Sequence, residues 1–487
     1  MSETFAPMPL PDDPGSDPPL CVDLDDTLLQ TDHLYEALLL LVKRAPFSLL
    51  LSPLWLLKGR AFFKREVSRR GASEVNRLPY RAELVAYLRE EQSRRRRLIL
   101  VTAADVSIAE KVQQHLQLFS ETIASHGTIN LKGEAKARAL EEKFGRGQFD
   151  YAGDSRADLA VWRVARRAVV VSDSKRFIAA VNSIAPVEVA FSKTRGKAAA
   201  LFKACRTHQW AKNFLVFVPV LTAHKVTDVH TLSLGGIAFV AFSLLASGVY
   251  LFNDLLDLEA DRAHSTKRMR PLASGQVSIP FAVGFGLVLL AGGLGLGLLC
   301  GRMFLLVAGI YLASNIAYSV WFKEIVMLDV VVLACFYTLR LLAGGAATGI
   351  GVSGWLLAFS VFFFFGLAMV KRYSELRGLA VEEGASAAGR GYFRTDLEPI
   401  GTFGVSSGMI SVLVLVLYIM SPEVRLLYRH PTTLLLLCPL FLYWITRLWF
   451  KANRGEVPQD PVVFALTDRT SYVAGILALA ILYGATV

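Results

Sequence analysis

The chain has 487 residues, 53% of them hydrophobic, a formal net charge of +11 and a mean hydropathy of +0.43. So apolar a composition, concentrated after residue 200, excludes an ordinary soluble enzyme. The surplus of Lys and Arg is explained by the loops of a membrane protein without invoking nucleic acid. Five cysteines (Cys21, Cys205, Cys300, Cys335, Cys438) stand far apart with no CxxC, which excludes a zinc site and a disulfide framework.

Residues 1–20 are acidic and Pro-rich and read as a disordered leader, not a signal peptide. Cys21-Val-Asp-Leu-Asp-Asp-Thr-Leu-Leu29 then reads as a short buried strand entering a DxDxT loop. Leu98–Val101 is a second strand, ending in Thr102. Lys136 sits at a helix start in Gly133–Leu140. Phe149–Ala152 leads into Gly153-Asp-Ser-Arg-Ala-Asp158, and Val169–Val171 is a further strand. Strands that alternate with helices and end in polar residues predict an α/β doubly wound sheet with its site at the carboxyl edge.

The polar ends carry a legible chemistry. Asp23 can attack phosphorus, while Asp25 protonates the leaving oxygen and later activates water. Thr102 and Lys136 would neutralise phosphoryl oxygens. Asp154, with Asp23 and Asp25, would hold Mg²⁺, and Asp158 would stand just behind it on the substrate side. Together these four pieces, over residues 21–185, resemble the haloacid dehalogenase (HAD) superfamily. An Asp two residues after the nucleophile is that superfamily's phosphatase pattern, so the resemblance implies phosphomonoester hydrolysis. The insert at about 30–93 occupies the place of a helical cap. Its apolar runs (37–42 and 47–57) are too short to span a bilayer and are flanked by Lys and Arg, which suggests a hairpin lying on the membrane surface.

After a linker at 186–204, residues 205–487 show apolar segments at about 213–223, 232–252, 279–299, 303–322, 326–346, 355–370, 403–420, 432–450 and 470–486. Nine transmembrane helices are predicted. Basic residues concentrate in the loops after the second, fourth, sixth and eighth of them, which puts those loops on the cytosolic side of the cytoplasmic membrane, with the front domain.

The second segment ends in Asn253-Asp-Leu-Leu-Asp-Leu-Glu-Ala-Asp261. If it stays helical, Asn253, Asp257 and Asp261 recur on one face with Asp254 beside them. Acids this close repel one another unless a hard cation lies between, and Mg²⁺ characteristically bridges carboxylates to a substrate's phosphates. Arg262, Lys267, Arg268 and Arg270 follow, a basic cluster suited to the same phosphates. NDxxDxxxD with the tail Thr266–Gly275 resembles the UbiA superfamily of intramembrane transferases. That resemblance implies an all-α bundle and a Mg²⁺-diphosphate site facing the cytosol.

Members that act on aromatic acceptors carry a second DxxxD. The equivalent stretch here, Tyr318–Asp329, has only Glu324 and Asp329. With one acidic cluster plus cations such as Lys323, the chain is similar to the branch that transfers 5-phosphoribose from phosphoribosyl diphosphate (PRPP) to polyprenyl phosphate. His208–Asn213, with Lys212 and Asn213, the Tyr318–Lys323 run, and Lys371-Arg372-Tyr373 also match that branch. The resemblances imply a bifunctional membrane enzyme with Mg²⁺ at both sites and no nucleic-acid partner; a homo-oligomer is compatible. Its product would be a polyprenyl-phosphoryl-ribose for cell-envelope glycans. Two rivals are a prenyltransferase moving an isoprenoid from its diphosphate to a small acceptor, and a membrane carrier or scaffold with a regulatory lid. The missing DxxxD counts against the first, and the intact acid–Thr–Lys–acid set counts against the second.

Overall fold

The structure is a computed structural model, and residues 17–486 are described except 72–73, 126–130, 194–197, 265, 379–390 and 459. The expected leader falls mostly outside the described residues. The chain divides into two compact units, Met1–Ala204 with Asp254–Val283, and Cys205–Asn253 with Gly284–Val487.

The first unit is built on six strands: β1 (Leu20–Val22), β2 (Leu98–Asp105), β3 (Glu121–Ser125), β4 (Asp150–Gly153), β5 (Ala168–Val171) and β6 (Val187–Phe191). They form one parallel sheet in the order β3-β2-β1-β4-β5-β6. Every residue of β1, β4 and β5 is buried, as expected of parallel strands covered on both faces. Successive side chains point to opposite faces, so Leu20 and Val22 join a core with Leu84 and Leu100, while Cys21 joins another with Ile99, Tyr151 and Trp162. Strand order reverses between β1 and β4, and the crevice of such a sheet lies beyond the carboxyl ends of those two strands.

Between β1 and β2 come α1 (His33–Arg44), α2 (Ser52–Leu57), α3 (Arg60–Arg70) and α4 (Ala82–Ser93). The first three share a small core of Ala37, Leu41, Trp55 and Val67 and leave Phe47, Leu50, Leu54 and Leu57 exposed. The insert is narrower than the expected 30–93, because α4 packs Leu84, Val85 and Leu88 into the main core. The following helices are α5 (Val106–Leu116), α6 (Glu134–Phe144), α7 (Leu159–Trp162), α8 (Lys175–Asn182) and α9 (Ala198–Ala204). The stretch 186–204 is therefore not simply a linker. It opens with β6, whose Val-Glu-Val-Ala-Phe alternation fits an edge strand half open to solvent. Arg81 ties that edge to the DxDxT loop, donating to the carbonyls of Asp26 (3.3 Å), Thr27 (3.1 Å) and Ser192 (2.8 Å).

The remaining helices are α10 (Val218–Thr222), α11 (Val229–Leu256), α12 (Leu258–Ala263), α13 (Ile279–Leu299), α14 (Arg302–Val320), α15 (Leu328–Thr348), α16 (Gly354–Arg377), α17 (Leu397–Met420), α18 (Pro422–Leu427), α19 (Leu437–Arg454), α20 (Pro461–Thr467) and α21 (Arg469–Thr486). Among the described residues, eight are long and apolar enough to cross a membrane: α11, α13–α17, α19 and α21. The chain is accordingly a multi-pass membrane protein, with eight such helices rather than nine. The expected first span, 213–223, is instead a 3₁₀ stretch, Thr207–Phe217, running into the short α10. Pro219 has no N–H to give, and Asn213 is buried in side-chain hydrogen bonds, so this stretch is not one continuous apolar helix.

A Cβ placed on Gly344 of α15 would lie 2.0 Å from the Val216 carbonyl oxygen, so helix and 3₁₀ stretch touch backbone to backbone. Overpacking of this kind costs about 1–3 kcal/mol. Gly344→Ala should lower the thermal midpoint of the detergent-solubilised protein by several degrees, and an unchanged midpoint would show that the close contact is dispensable.

Candidate functional site

Seven acids, Asp23, Asp25, Asp154 and Asp158 among them, line a cavity of about 280 Å³ at the carboxyl ends of β1 and β4. Asp23 is the first residue past β1. Its carboxylate accepts from its neighbour Leu24 N–H (2.9 Å) and lies 2.9 Å from Lys136 Nζ. Burial pushes Asp23 up to about 7, with Lys136 pulling the other way. Asp25, two residues on, accepts the His33 backbone N–H at 2.9 Å. Burial, then the nearby Asp32, raises its carboxyl well above the ordinary range, so it favours the protonated form that a general acid needs.

Lys136 lies in the first turn of α6 and also donates to Tyr151 Oη at 2.8 Å. Burial alone would depress its ammonium, but Asp23 and Asp158 outweigh it and the net shift is upward. Past β4, Asp154 pairs with Lys193 and accepts from Thr27 Oγ1 at 3.3 Å. Asp158 caps the turn after it, accepting from Ser155 N–H (3.0 Å), Ser155 Oγ (2.7 Å) and Tyr151 Oη (2.9 Å). Among the described residues, Asp23, Asp154 and Asp158 are the group whose oxygens lie close enough (within 4.8 Å) to share an ion. Asp25 stands outside that group, with its Oδ1 turned to the His33 N–H at the start of α1. Thr102 is fully buried within β2, not at its end, and its Oγ1 accepts the Ala104 N–H. Ala103, Ala104 and Asp105 line the cavity in its stead, together with Lys64 from α3.

In the acidic loop, the register expected for a continuous helix breaks. α11 stops at Leu256, Asp257 takes non-helical backbone angles, and α12 restarts at Leu258. Across the break the Asp261 N–H still bonds the Asp257 carbonyl at 2.8 Å. Asp254 and Asp261, both buried, meet one guanidinium: Arg270 Nη1 lies 3.2 Å and 2.5 Å from them. Burial raises Asp261, against the pull of Arg270. Arg262, read from sequence as a phosphate ligand, is engaged with Glu36 of α1 at 2.6 Å through both amino groups. Lys267 and Arg268 lie in the short 3₁₀ turn Lys267–Met269, with Arg268 exposed.

In the second unit, Lys212 Nζ meets Asp460 Oδ2 at 2.6 Å and lies over the Tyr337 ring. Asp460 is held down at about 2; burial opposes this, but Lys212 and Lys371 prevail. Asn213 donates to Ser243 Oγ and accepts from Arg340 Nε at 2.8 Å. Arg372 is fully buried against Asp329 and Glu375, and Tyr392 Oη donates to Asp329 at 2.5 Å. Asn253 accepts from Ser319 Oγ (2.7 Å), Tyr373 Oη donates to Asn453 (2.9 Å), Tyr318 packs edge-on to Phe336, and Lys323 lies in the short turn Phe322–Glu324. Asp460, Arg340 and Tyr392 were missed from sequence. Arg340, an ionisable residue in a membrane-length helix, was the one with a readable signal.

A family model described as the UbiA prenyltransferase family matches residues 214–467. The uncharacterized protein y4nM of Sinorhizobium fredii is 39% identical over 464 residues, covering 94% of this chain and 89% of that one. Nodulation protein NoeC of Azorhizobium caulinodans is 36% identical over 282 residues, 57% of this chain and 90% of that protein. A decaprenyl-phosphate phosphoribosyltransferase of Mycobacterium tuberculosis is 40% identical over 197 residues, 39% of this chain and 63% of that protein.

His33 lines the acid cavity and is buried, and burial drops its imidazole from 6.5 to about 4. Between those values the unfolded chain binds the proton and the folded one does not. His33 therefore costs nothing above pH 6.5 and destabilises progressively as the pH falls toward 4, by on the order of 3 kcal/mol in full. The buried acids shift the opposite way, so the measurement is a difference. Thermal midpoints of wild type and His33→Gln, taken from pH 7 to pH 4.5, should converge as the pH falls; parallel curves would mean that His33 is not held neutral.

Proposed function

The chain belongs to the UbiA prenyltransferase family, and within it we propose a two-step enzyme. It moves 5-phosphoribose from PRPP to the phosphate of a polyprenyl phosphate in the cytoplasmic membrane. It then removes the 5-phosphate with its α/β domain, acting as a HAD-type phosphatase on the cytosolic side. The likeness to a decaprenyl-phosphate phosphoribosyltransferase supports the first step.

The observation that carries the choice of substrate is the fate of Asp329. It is the carboxylate nearest the position of a second acidic motif, and it is fully buried and committed to Arg372 and Tyr392. It has no oxygen to spare for a second metal, whereas a prenyl-diphosphate donor is expected to need one. A single acidic loop suits a donor whose ribose 5-phosphate is held by cations.

In the transfer, an oxygen of the acceptor phosphate bonds to C1 of the ribose. The C1–O bond to the diphosphate breaks, and the diphosphate leaves with the electron pair. Asp254, Asp257, Asp261 and Asn253 are oxygen donors of the kind Mg²⁺ takes, and Asp254 and Asp261 are already drawn together by a cation, Arg270. Arg270 is released to the phosphates when the acids are otherwise neutralised, and Lys267 and Arg268 follow it on the same loop. Lys212, Lys323 and Lys371 take the two monophosphates. In the hydrolysis, Asp23 Oδ attacks the 5-phosphorus, the P–O5 bond breaks, and O5 takes the proton of Asp25. Water then cleaves the phosphoaspartate with Asp25 as base, and Lys136 steadies the phosphoryl oxygens throughout. Mg²⁺, when bound at either site, supplies positive charge against oxygens that gain negative charge as these bonds break.

Two substitutions separate the steps. Asp257→Asn should abolish transfer, by at least about 100-fold for a lost metal ligand, while hydrolysis of a soluble phosphomonoester continues. Asp23→Asn removes the nucleophilic charge and should leave transfer intact, so polyprenyl-phosphoryl-5-phosphoribose accumulates. The masses of the lipid products from PRPP and polyprenyl phosphate decide the matter. If the wild type makes no phosphoribosyl lipid but consumes an isoprenoid diphosphate, the prenyltransferase reading replaces this one.

A further inference from the structure

The loop Asp254–Val283 folds with the α/β domain as part of one compact unit, and a buried ion pair joins it to α1. The Arg262 guanidinium meets Glu36 fork to fork, Nη1 on one oxygen and Nη2 on the other at 2.6 Å each, with side chains only 6% and 3% exposed. Its Nε donates to the Ala273 carbonyl at 2.9 Å. About two turns further along α1, Arg44 pairs with Glu259 at 3.1 Å. Just before α1, Gln30 is packed so tightly on Gly275 that an added Cβ would lie 2.7 Å from it. Gly275 has φ +75, so a side chain there would be strained as well as crowded.

These contacts all fall on α1 or on the residues that lead into it. The same helix begins at His33, whose N–H is bonded to Asp25. Glu36 is three residues on, within the same turn. At the other side of the pair, Arg262 follows Asp261, which shares Arg270 with Asp254. A single helical turn thus touches the general acid of the hydrolase at one end and the acidic motif of the transferase loop at the other. A buried ion pair adds little to stability over well-packed apolar groups, but it does fix one register between the elements it joins.

We propose that Glu36 is a positioning residue: through Arg262 it fastens the acidic loop to the phosphatase cap, and this fastening commits the 5-phosphorylated lipid to hydrolysis before release. The proposal rests on the two-step reading above and adds the device that links the steps. In its absence the lipid intermediate escapes, because the high local concentration that joined parts provide falls when the join loosens.

The experiment uses full-length protein in lipid nanodiscs with PRPP and a short polyprenyl phosphate. In Glu36→Gln, transfer alone and hydrolysis of a soluble phosphomonoester alone should each stay within about twofold of wild type, while the fraction of lipid released with its 5-phosphate rises about fivefold. Arg44→Glu, at the more exposed pair, should raise that fraction by a smaller factor and guards against a Glu36 variant that fails to fold. Amide hydrogen exchange in residues 254–283 should be faster in both variants. Unchanged exchange overturns the fastening. Unchanged partition with faster exchange overturns its role in commitment. Both reactions falling in parallel would reduce Glu36 to a purely structural residue. A wild type that never removes the 5-phosphate sinks the two-step reading itself, a result distinct from any of these because it appears without mutation.

Discussion

Carboxylates of like charge, packed together away from water, must be held against their own repulsion, and the α/β domain does this with Lys193 at Asp154 and Lys136 at Asp23 and Asp158. Lys136 reaches Asp23 at 2.9 Å and Asp158 at 3.9 Å from the first turn of α6. Neither acid is then free to drift. Asp158 in turn organises the backbone after β4 through Ser155, and Tyr151 bridges Asp158 to the lysine. The sheet order explains why these groups meet at all. β1 and β4 are neighbours in space though far apart in sequence, and the residues just beyond each of them point into the crevice where the chain order reverses. Burial leaves Asp25 biased toward its protonated form and Asp23 near the point of ionisation, so one environment sets two like side chains to different protonation states.

The rule that buried charge needs a partner recurs in the helical unit. Arg372 has Asp329 and Glu375, Lys212 has Asp460, and Arg340 has Asn213, the Phe336 carbonyl and three surrounding rings. Such groups are expensive in a membrane-type interior and persist where they do something. They also divide the cations of the sequence into two kinds. Arg372 is locked by two carboxylates at zero exposure, while Lys212 and Lys371 share the field of the single Asp460. The second kind can exchange a carboxylate for a phosphate at lower cost.

Features set by short-range periodicity were legible in the sequence, and those set by distant contacts were not. The central strands could be read because a strand buried on both faces is a continuous apolar run ending in a polar residue. β6 could not, because its alternation is weak and its partner β5 supplies the reason for it. The long apolar segments announced eight membrane-length helices. The ninth failed because hydropathy counts residues and ignores that Thr207–Phe217 winds as a 3₁₀ stretch before the short α10. The acidic motif was visible as composition, but the break at Asp257 and the Arg270 guanidinium shared by Asp254 and Asp261 were not. Nothing local to Arg262 hints that its partner is Glu36, 226 residues earlier in the chain.

Arg81 gives the molecule a seam that linear reading would misplace. Its guanidinium joins the carbonyls of Asp26 and Thr27, inside the DxDxT loop, to that of Ser192, just past the last strand. A protein shortened at residue 185 would keep every acid of the cavity yet lose β6. It would bare the edge of β5 and take away the Ser192 carbonyl, one of the three acceptors of Arg81. Exposed edges of this kind pair with other chains, so the shortened protein would be expected to gather into aggregates, and its inactivity would say nothing about the chemistry of Asp23. The α/β domain is a natural fragment only if it is cut beyond the sheet's true border, and even then it leaves the acidic loop behind.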